Sequence, residues 1–208
     1  MGEAPPAKAI VLFNGENLDE WKYSGNKPGP VQWKIVDGAM EVTPGTGSII
    51  SKKRFGDIKL HLEFRTPFMP KARGQGRGNS GVYLQGRYEV QVLDSYGLEG
   101  RDNECGGIYS VSEPLVNMCA PPMQWQTYDI TFGSPRIDST GKVVEDAHMT
   151  VEHNGVKIHD KVKVSKATTA APGGDIAKRG GIYLQDHGNP VQYRNIWVVE
   201  LPKERGSY

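Results

Sequence analysis

The chain has 208 residues, with 25 Lys and Arg against 24 Asp and Glu, so its net charge is +1. That balance supplies no field for nucleic acid or an anionic membrane surface, and no apolar run reaches the roughly 18 residues of a spanning helix. The 26 Gly and 14 Pro punctuate short runs of aromatic and β-branched residues, the composition of one turn-rich β domain and not of a disordered chain.

The start, MGEAPPAKAI, lacks the basic and apolar regions of an export signal, which leaves the compartment open. Ile10 to Phe13 reads as a short edge strand closed by Asn14-Gly15. Val31 to Val36 and Ala39 to Val42 flank Asp37-Gly38, the strongest short-range hairpin signal. Ser48 to Ser51 is another short strand. Asp57 to Arg65 alternates, which sends Ile58, Leu60, Leu62 and Phe64 inward and His61, Glu63 and Arg65 to the opposite face. Pro67 to Gly78 has no periodicity and reads as a loop; its Lys71, Arg73 and Arg77 fit a solvated loop better than a phosphate site, since no Gly-Lys-Ser/Thr follows.

The centre of the pattern is Asn79 to Tyr96. Val82 to Gln85 and Tyr88 to Asp94 flank Gly86-Arg87 as a predicted hairpin, with Val82, Leu84, Val90 and Val92 directed to a core. Tyr83, Gln85, Glu89 and Gln91 then share the other face. Flat aromatic and planar hydrogen-bonding groups suit a sugar, although a solvated outer face is the plain alternative. Gly97 to Pro122 is a long excursion holding Cys105 and Cys119, which either close a bridge across it or remain buried thiols; neither lies in a CxxC spacing.

Trp125 to Phe132 and Ala147 to His153 are strands, and Asn154-Gly155 turns the second into Val156 to Asp160. His148, His153 and His159 match no metal spacing, so packing or surface roles are expected. Val164 to Arg179 reads as a loop. Gly181-Ile182-Tyr183-Leu184-Gln185 then repeats the Gly81 to Gln85 pattern with Ile for Val, and Gln192 to Leu201 is a long terminal strand. No segment sustains a helical period. The fold class predicted is all-β, a two-sheet antiparallel β-sandwich of the jelly-roll kind.

The placed motifs resemble one family, the 3-keto-disaccharide hydrolase family (domain of unknown function 1080). They are Leu12-Phe13-Asn14-Gly15 with Leu18 and Trp21, Asn79 to Leu84, Tyr88 to Ser95, Gly106 to Tyr109, Trp125 to Asp129, Asn154-Gly155, and Leu184 to Val191 with Arg194 to Trp197. The resemblance covers about residues 8 to 202 as a single domain, with 1–7 and 203–208 as tails. It implies a concanavalin A-like lectin/glucanase sandwich whose concave sheet holds the site. It also implies action on glycosides oxidised at C3, and a periplasmic or cell-surface location.

For such a substrate, a base removes the acidified C2 proton, the anomeric substituent leaves by elimination, and water adds to the product. That chemistry needs a base near neutral poise, an acid for the leaving oxygen and donors at the enolate. An ordinary glycoside hydrolase would need two carboxylates, and Gln91 stands where the second would help. The candidate catalytic pair is Glu89 and His187, with a hydrogen bond in the His-Gly-Asn-Pro corner as the alternative role of His187. Arg65, Gln85 and Gln185 are expected to hold the enolate or sugar hydroxyls, Gln91 to bind substrate and Tyr83 to stack on the ring. Glu63, Asp94 and Glu104 are expected to bind hydroxyls or a divalent metal, and Arg194 is a candidate partner for Asp186. No other cofactor is indicated, the partner is a small carbohydrate, and oligomeric state is open. A non-catalytic carbohydrate-binding module is the competing class.

Overall fold

A computed structural model describes residues 1–202; the expected tail at 203–208 lies outside the described residues. Two antiparallel sheets make a sandwich. The larger runs in the order β13 (Val156–Val164), β12 (Ala147–His153), β9 (Gln126–Gly133), β6 (Ile58–Arg65), β15 (Gln192–Glu200), β4 (Ala39–Glu41) and β3 (Lys34–Val36), with β1 (Ile10–Phe13) also paired to β15. The smaller runs β2 (Trp21–Tyr23), β5 (Ile49–Ser51), β14 (Tyr183–Leu184), β7 (Ser80–Leu84) and β8 (Tyr88–Val92). A separate ribbon joins β10 (Arg136–Ile137) to β11 (Val143–Glu145). No helix among the described residues is long and apolar enough to cross a membrane.

The core follows from the period of two. Ile58, Leu60, Leu62 and Phe64 of β6 face Val82, Leu84, Val90 and Val92 of the small sheet in one buried cluster. At roughly 1.5–3 kcal/mol for each large apolar side chain removed from water, this cluster is the main force holding the sheets together. The Asp-Gly and Asn-Gly turns form as expected: Asp37 and Gly38 (φ 50° and 74°) and Asn154 and Gly155 (φ 52° and 78°) both take the left-handed pairs that two-residue hairpins require.

The connection of the central hairpin is one residue longer than predicted. Three residues, Gln85, Gly86 and Arg87, connect β7 to β8, and Gln85 itself has a left-handed φ of 54°. It therefore leaves the alternation that was expected to carry it. The long excursion and the 165–179 loop are irregular, as expected, and both return to β8. His153 packs inside, tilted against Phe64 and edge-on to Tyr128, and burial depresses it to about 3. His159 is also buried, its Nε2 2.7 Å from the Gly106 carbonyl. Cys105 and Cys119 are buried free thiols.

Candidate active site

The register of β7 against β8 sets Tyr83 opposite Glu89 and Gly81 opposite Gln91, while β14 sets Tyr183 opposite Tyr83. These residues share the face of the small sheet turned away from the core. A glycine at position 81 is what makes room there. A Cβ on it would lie 2.3 Å from Glu89 Oε1 and 2.7 Å from Tyr83 Cε2, closer than carbon and oxygen can approach. The Tyr83 hydroxyl hydrogen-bonds the Glu89 carboxyl and accepts from Gln185 Nε2 at 3.1 Å. Gln185 is fixed from inside the sandwich: the Tyr193 hydroxyl donates to Ser80 Oγ, and Ser80 Oγ donates to the Gln185 carbonyl, each at 2.6 Å.

β8 is the last strand of its sheet, so the backbone groups of Glu89 and Gln91 point to a free edge. Two loops fill it. The 106–109 segment donates Gly106 N to Gln91 O and Tyr109 N to Glu89 O and accepts Gln91 N at Gly107 O, at 2.9–3.2 Å. Thr168 Oγ1 accepts Glu89 N at 3.1 Å, and Thr168 N donates to Arg87 O at 2.8 Å. Between them lies a cavity of about 90 Å³ lined by Glu89, Gln91, Gln185 and His187, with Gln75, Asn79, Tyr109, Thr169 and Ala170 around them. That is about three water molecules' share of liquid volume, room for a small polar group and not for a whole disaccharide.

Polar groups in the cavity are partly committed and partly open. Gln91 Nε2 donates to Gln75 Oε1 at 3.0 Å and its Oε1 accepts Val92 N at 3.1 Å. Asn79 Nδ2 donates to Gln75 O at 2.8 Å, but Asn79 Oδ1 is buried with no partner. An unmatched buried acceptor costs about 1–3 kcal/mol, which a ligand hydroxyl would recover. His187 is exposed.

Glu89 is 3% exposed, and its carboxyl is pushed up to about 8 by burial, with the Tyr83 hydrogen bond acting weakly the other way. No Lys or Arg lines the cavity, and Glu89 is its one carboxylate. The neutral acid is therefore the main form at pH 7, within an exchange of about one unit of the working range.

The other sequence candidates lie elsewhere. Gln85, turned by its left-handed backbone, donates to Phe55 O at 3.0 Å and Ser134 Oγ at 2.9 Å. Tyr83 is fully buried beneath Glu89, edge-on to Tyr183 at 4.8 Å, and has no face on which a ring could stack. Glu63 and Arg65 are on the large sheet, Glu63 bonded to Arg194 at 2.7 Å and Arg65 lying 4.7 Å over Trp125. Arg194 thus pairs with Glu63; Asp186 instead accepts from Gly47 N and Gly188 N, each at 2.9 Å.

Glu104 is taken by Arg77 at 3.2 Å and by Ser95, and Asp94 sits in the turn after β8, accepting from Tyr96 N at 3.5 Å. Glu63, Asp94 and Glu104 form no common ligand cluster. The one metal-type group among the described residues is Glu3, His61 and Asp129, with ligand atoms within 4.8 Å, on the second face of the large sheet. Asn79, Gln75, Tyr109, Thr169 and Ala170 line the cavity without having been singled out. Tyr109 closes the Gly106 to Tyr109 motif that carried part of the resemblance, whereas Gln75, Thr169 and Ala170 come from aperiodic loops that carry no signal.

Residues 8–199 match the 3-keto-alpha-glucoside-1,2-lyase-like domain. A "putative glycosyl hydrolase" of Parabacteroides distasonis ATCC 8503 superposes with a TM-score of 0.85 at 37% identity, covering 94% of this chain and 85% of that one. A second protein of the same description and organism gives a TM-score of 0.69 at 19% identity, covering 94% of both chains. The alginate lyase Aly36B shares the fold at a TM-score of 0.52 and 13% identity, covering 97% of this chain and 100% of that one. No match is found among curated proteins.

Proposed function

The chain belongs to the 3-keto-alpha-glucoside-1,2-lyase-like family, and from that premise we propose that it is a carbohydrate-active enzyme cleaving 3-keto-glycosides by elimination across C1 and C2. The observation that carries this reading is a lone carboxyl, Glu89, raised to about 8 in a cavity that also holds an imidazole and has no second carboxylate. Direct hydrolysis places two carboxyl groups about the scissile bond; here Gln91 occupies the second place. Elimination asks instead for one acid and one base of near-neutral poise.

In this reading His187 accepts the proton from C2, which the C3 ketone has acidified. The C–H electron pair becomes the C2–C3 enolate, and the Tyr109 hydroxyl, which has no partner among the described residues, is the donor available to its oxygen. As the ketone re-forms, the pair moves into a C1–C2 double bond and the C1–O bond breaks. The departing oxygen takes the proton of Glu89. The products are a 1,2-unsaturated 3-keto sugar and an alcohol or second sugar. Water added across the double bond makes the net outcome hydrolysis. Asn79 Oδ1 accepts a sugar hydroxyl, and Gln185 holds the Tyr83 hydroxyl that steadies Glu89.

The test is incubation of the protein with a 3-keto-glucoside, following release of the alcohol and absorbance of the conjugated enone. Glu89→Gln keeps the shape but cannot give up a proton in the same way, and should lower turnover by about 10²–10⁴. Because the acid form is the active one, kcat should fall as pH rises through about 8. Sugar binding without release would leave a carbohydrate-binding module; full activity of Glu89→Gln would refute the assignment.

A further inference from the structure

We propose a second ligand site, an anion subsite on the opposite side of the 168–175 segment from Glu89, taking a carboxylate or a phosphate monoester. Thr169 and Ala170 line the Glu89 cavity, and Pro172 to Asp175 line this other one, of about 380 Å³, so a single stretch of chain walls both. Four cations, Lys22, Arg54, Arg87 and Lys178, face it against one acid, Asp175. In a chain of net charge +1 such a concentration of one sign is local, not a reflection of composition.

Arg87 is what separates this cavity from an ordinary basic surface. It is 4% exposed, yet its guanidinium has no ion pair among the described residues. Nη1 donates to Gln85 Oε1 at 2.9 Å, Nη2 donates to the Lys178 carbonyl at 2.5 Å, and Nε is buried with no partner. Those acceptors are neutral, so they satisfy donors without a contact ion pair, and the Asp175 carboxylate offsets the charge only from a distance; a buried charge so weakly matched is expensive. Holding the loop would need only a neutral amide donor. A cation kept there calls for an anion, and a guanidinium fork matches the paired oxygens of carboxylate and phosphate.

A glycine turn lies over Arg87 and adds no side chain to the space beside it. Gly173 and Gly174 turn with φ of 78° and 129°, and a Cβ at Gly174 would come within 3.9 Å of Arg87 Nε. Asp175 does not fill the role, because Lys178 Nζ at 3.2 Å and Ala177 N at 3.0 Å hold its carboxylate. Lys22 and Arg54 are exposed and without ion pairs among the described residues, so they can close on an anion seated at Arg87.

Calorimetric titration with glucose 6-phosphate, glucuronate, inorganic phosphate and, as the uncharged control, glucose tests this on the whole chain. The result expected is binding of at least one anion about tenfold tighter than glucose, weakening as salt is raised. In Lys22→Glu with Arg54→Glu, two exposed changes that leave the melting temperature in place, that binding should drop about tenfold. Glucose 6-phosphate above inorganic phosphate identifies a sugar phosphate, glucuronate above both identifies a sugar acid, and inorganic phosphate alone identifies the free ion; each supports the subsite. No anion binding, or binding untouched by the double substitution, overturns it. Since the readout is binding and not turnover, the result stands apart from that of the elimination assay.

Discussion

Two glutamates are buried on the outer faces of the two sheets, and they are in opposite states. Glu63, on the large sheet, is fully buried, and desolvation alone would raise its carboxyl. The Gly2 N–H, the Arg194 guanidinium and Asn195 outweigh that and hold it below the usual range. Glu89, on the small sheet, is as deeply placed, but its main partner is a phenol, and it is pushed up to about 8. Burial is common to both; the company differs. A carboxylate matched with a cation is a structural tie, whereas one left with neutral neighbours is held ready to exchange a proton.

The contrast can be broken most severely at Gly81. Gly81→Ala would force Glu89 and Tyr83 apart, and we expect about a 10³-fold loss of turnover, near 4 kcal/mol in the barrier, with the melting temperature falling only modestly. Steady-state kinetics and thermal unfolding together check this.

The next effect is on stability against pH. Because the folded-state pKa of Glu89 lies above its unfolded value, its contribution is full below about pH 4.5 and is lost as pH rises through about 8. Glu89→Gln should therefore be more stable than the parent at pH 9, by on the order of 3 kcal/mol, and lose that advantage by pH 5. Urea unfolding at the two pH values would show it, and equal stabilities at pH 9 would contradict the raised pKa.

At the other glutamate the expectation is reversed. Arg194→Met removes the partner of Glu63 and the cation lying 4.0 Å over Trp125, and should cost about 2 kcal/mol, discounted because the Arg194 side chain is 35% exposed. Turnover per folded molecule should not change. The smallest effect is at Tyr109: Tyr109→Phe should lower kcat about tenfold, near 1.4 kcal/mol, with little change in KM.

Much of this was legible in the sequence. Period-two alternation placed the inward residues of β6, β7 and β8, and the Asp-Gly and Asn-Gly pairs fixed two hairpins, because those signals are local. Glu89, Gln91, Gln185 and His187 line one cavity because β14 pairs with β7 and β7 with β8, strands that the shared Gly-x-Tyr-Leu-Gln pattern had marked as alike. Gln85 escaped the alternation since a three-residue connection with left-handed backbone interrupts it, and alternation cannot report a turn that begins one residue early. Glu63 and Arg65 obey the right period on the wrong sheet, and which sheet a strand joins depends on pairing across more than a hundred residues. Gln75, Thr169 and Ala170 arrive by loop closure, for which no periodicity exists.

The strand carrying Glu89 is the outermost of five, a position whose unpaired amides and carbonyls would ordinarily invite another chain to add on. Gly106, Gly107, Tyr109 and Thr168 have already taken those places. The loops that roof the acid thus also act as a guard against aggregation, so a substitution that loosened either one would expose a sticky margin at the same moment that it let water onto the buried carboxyl.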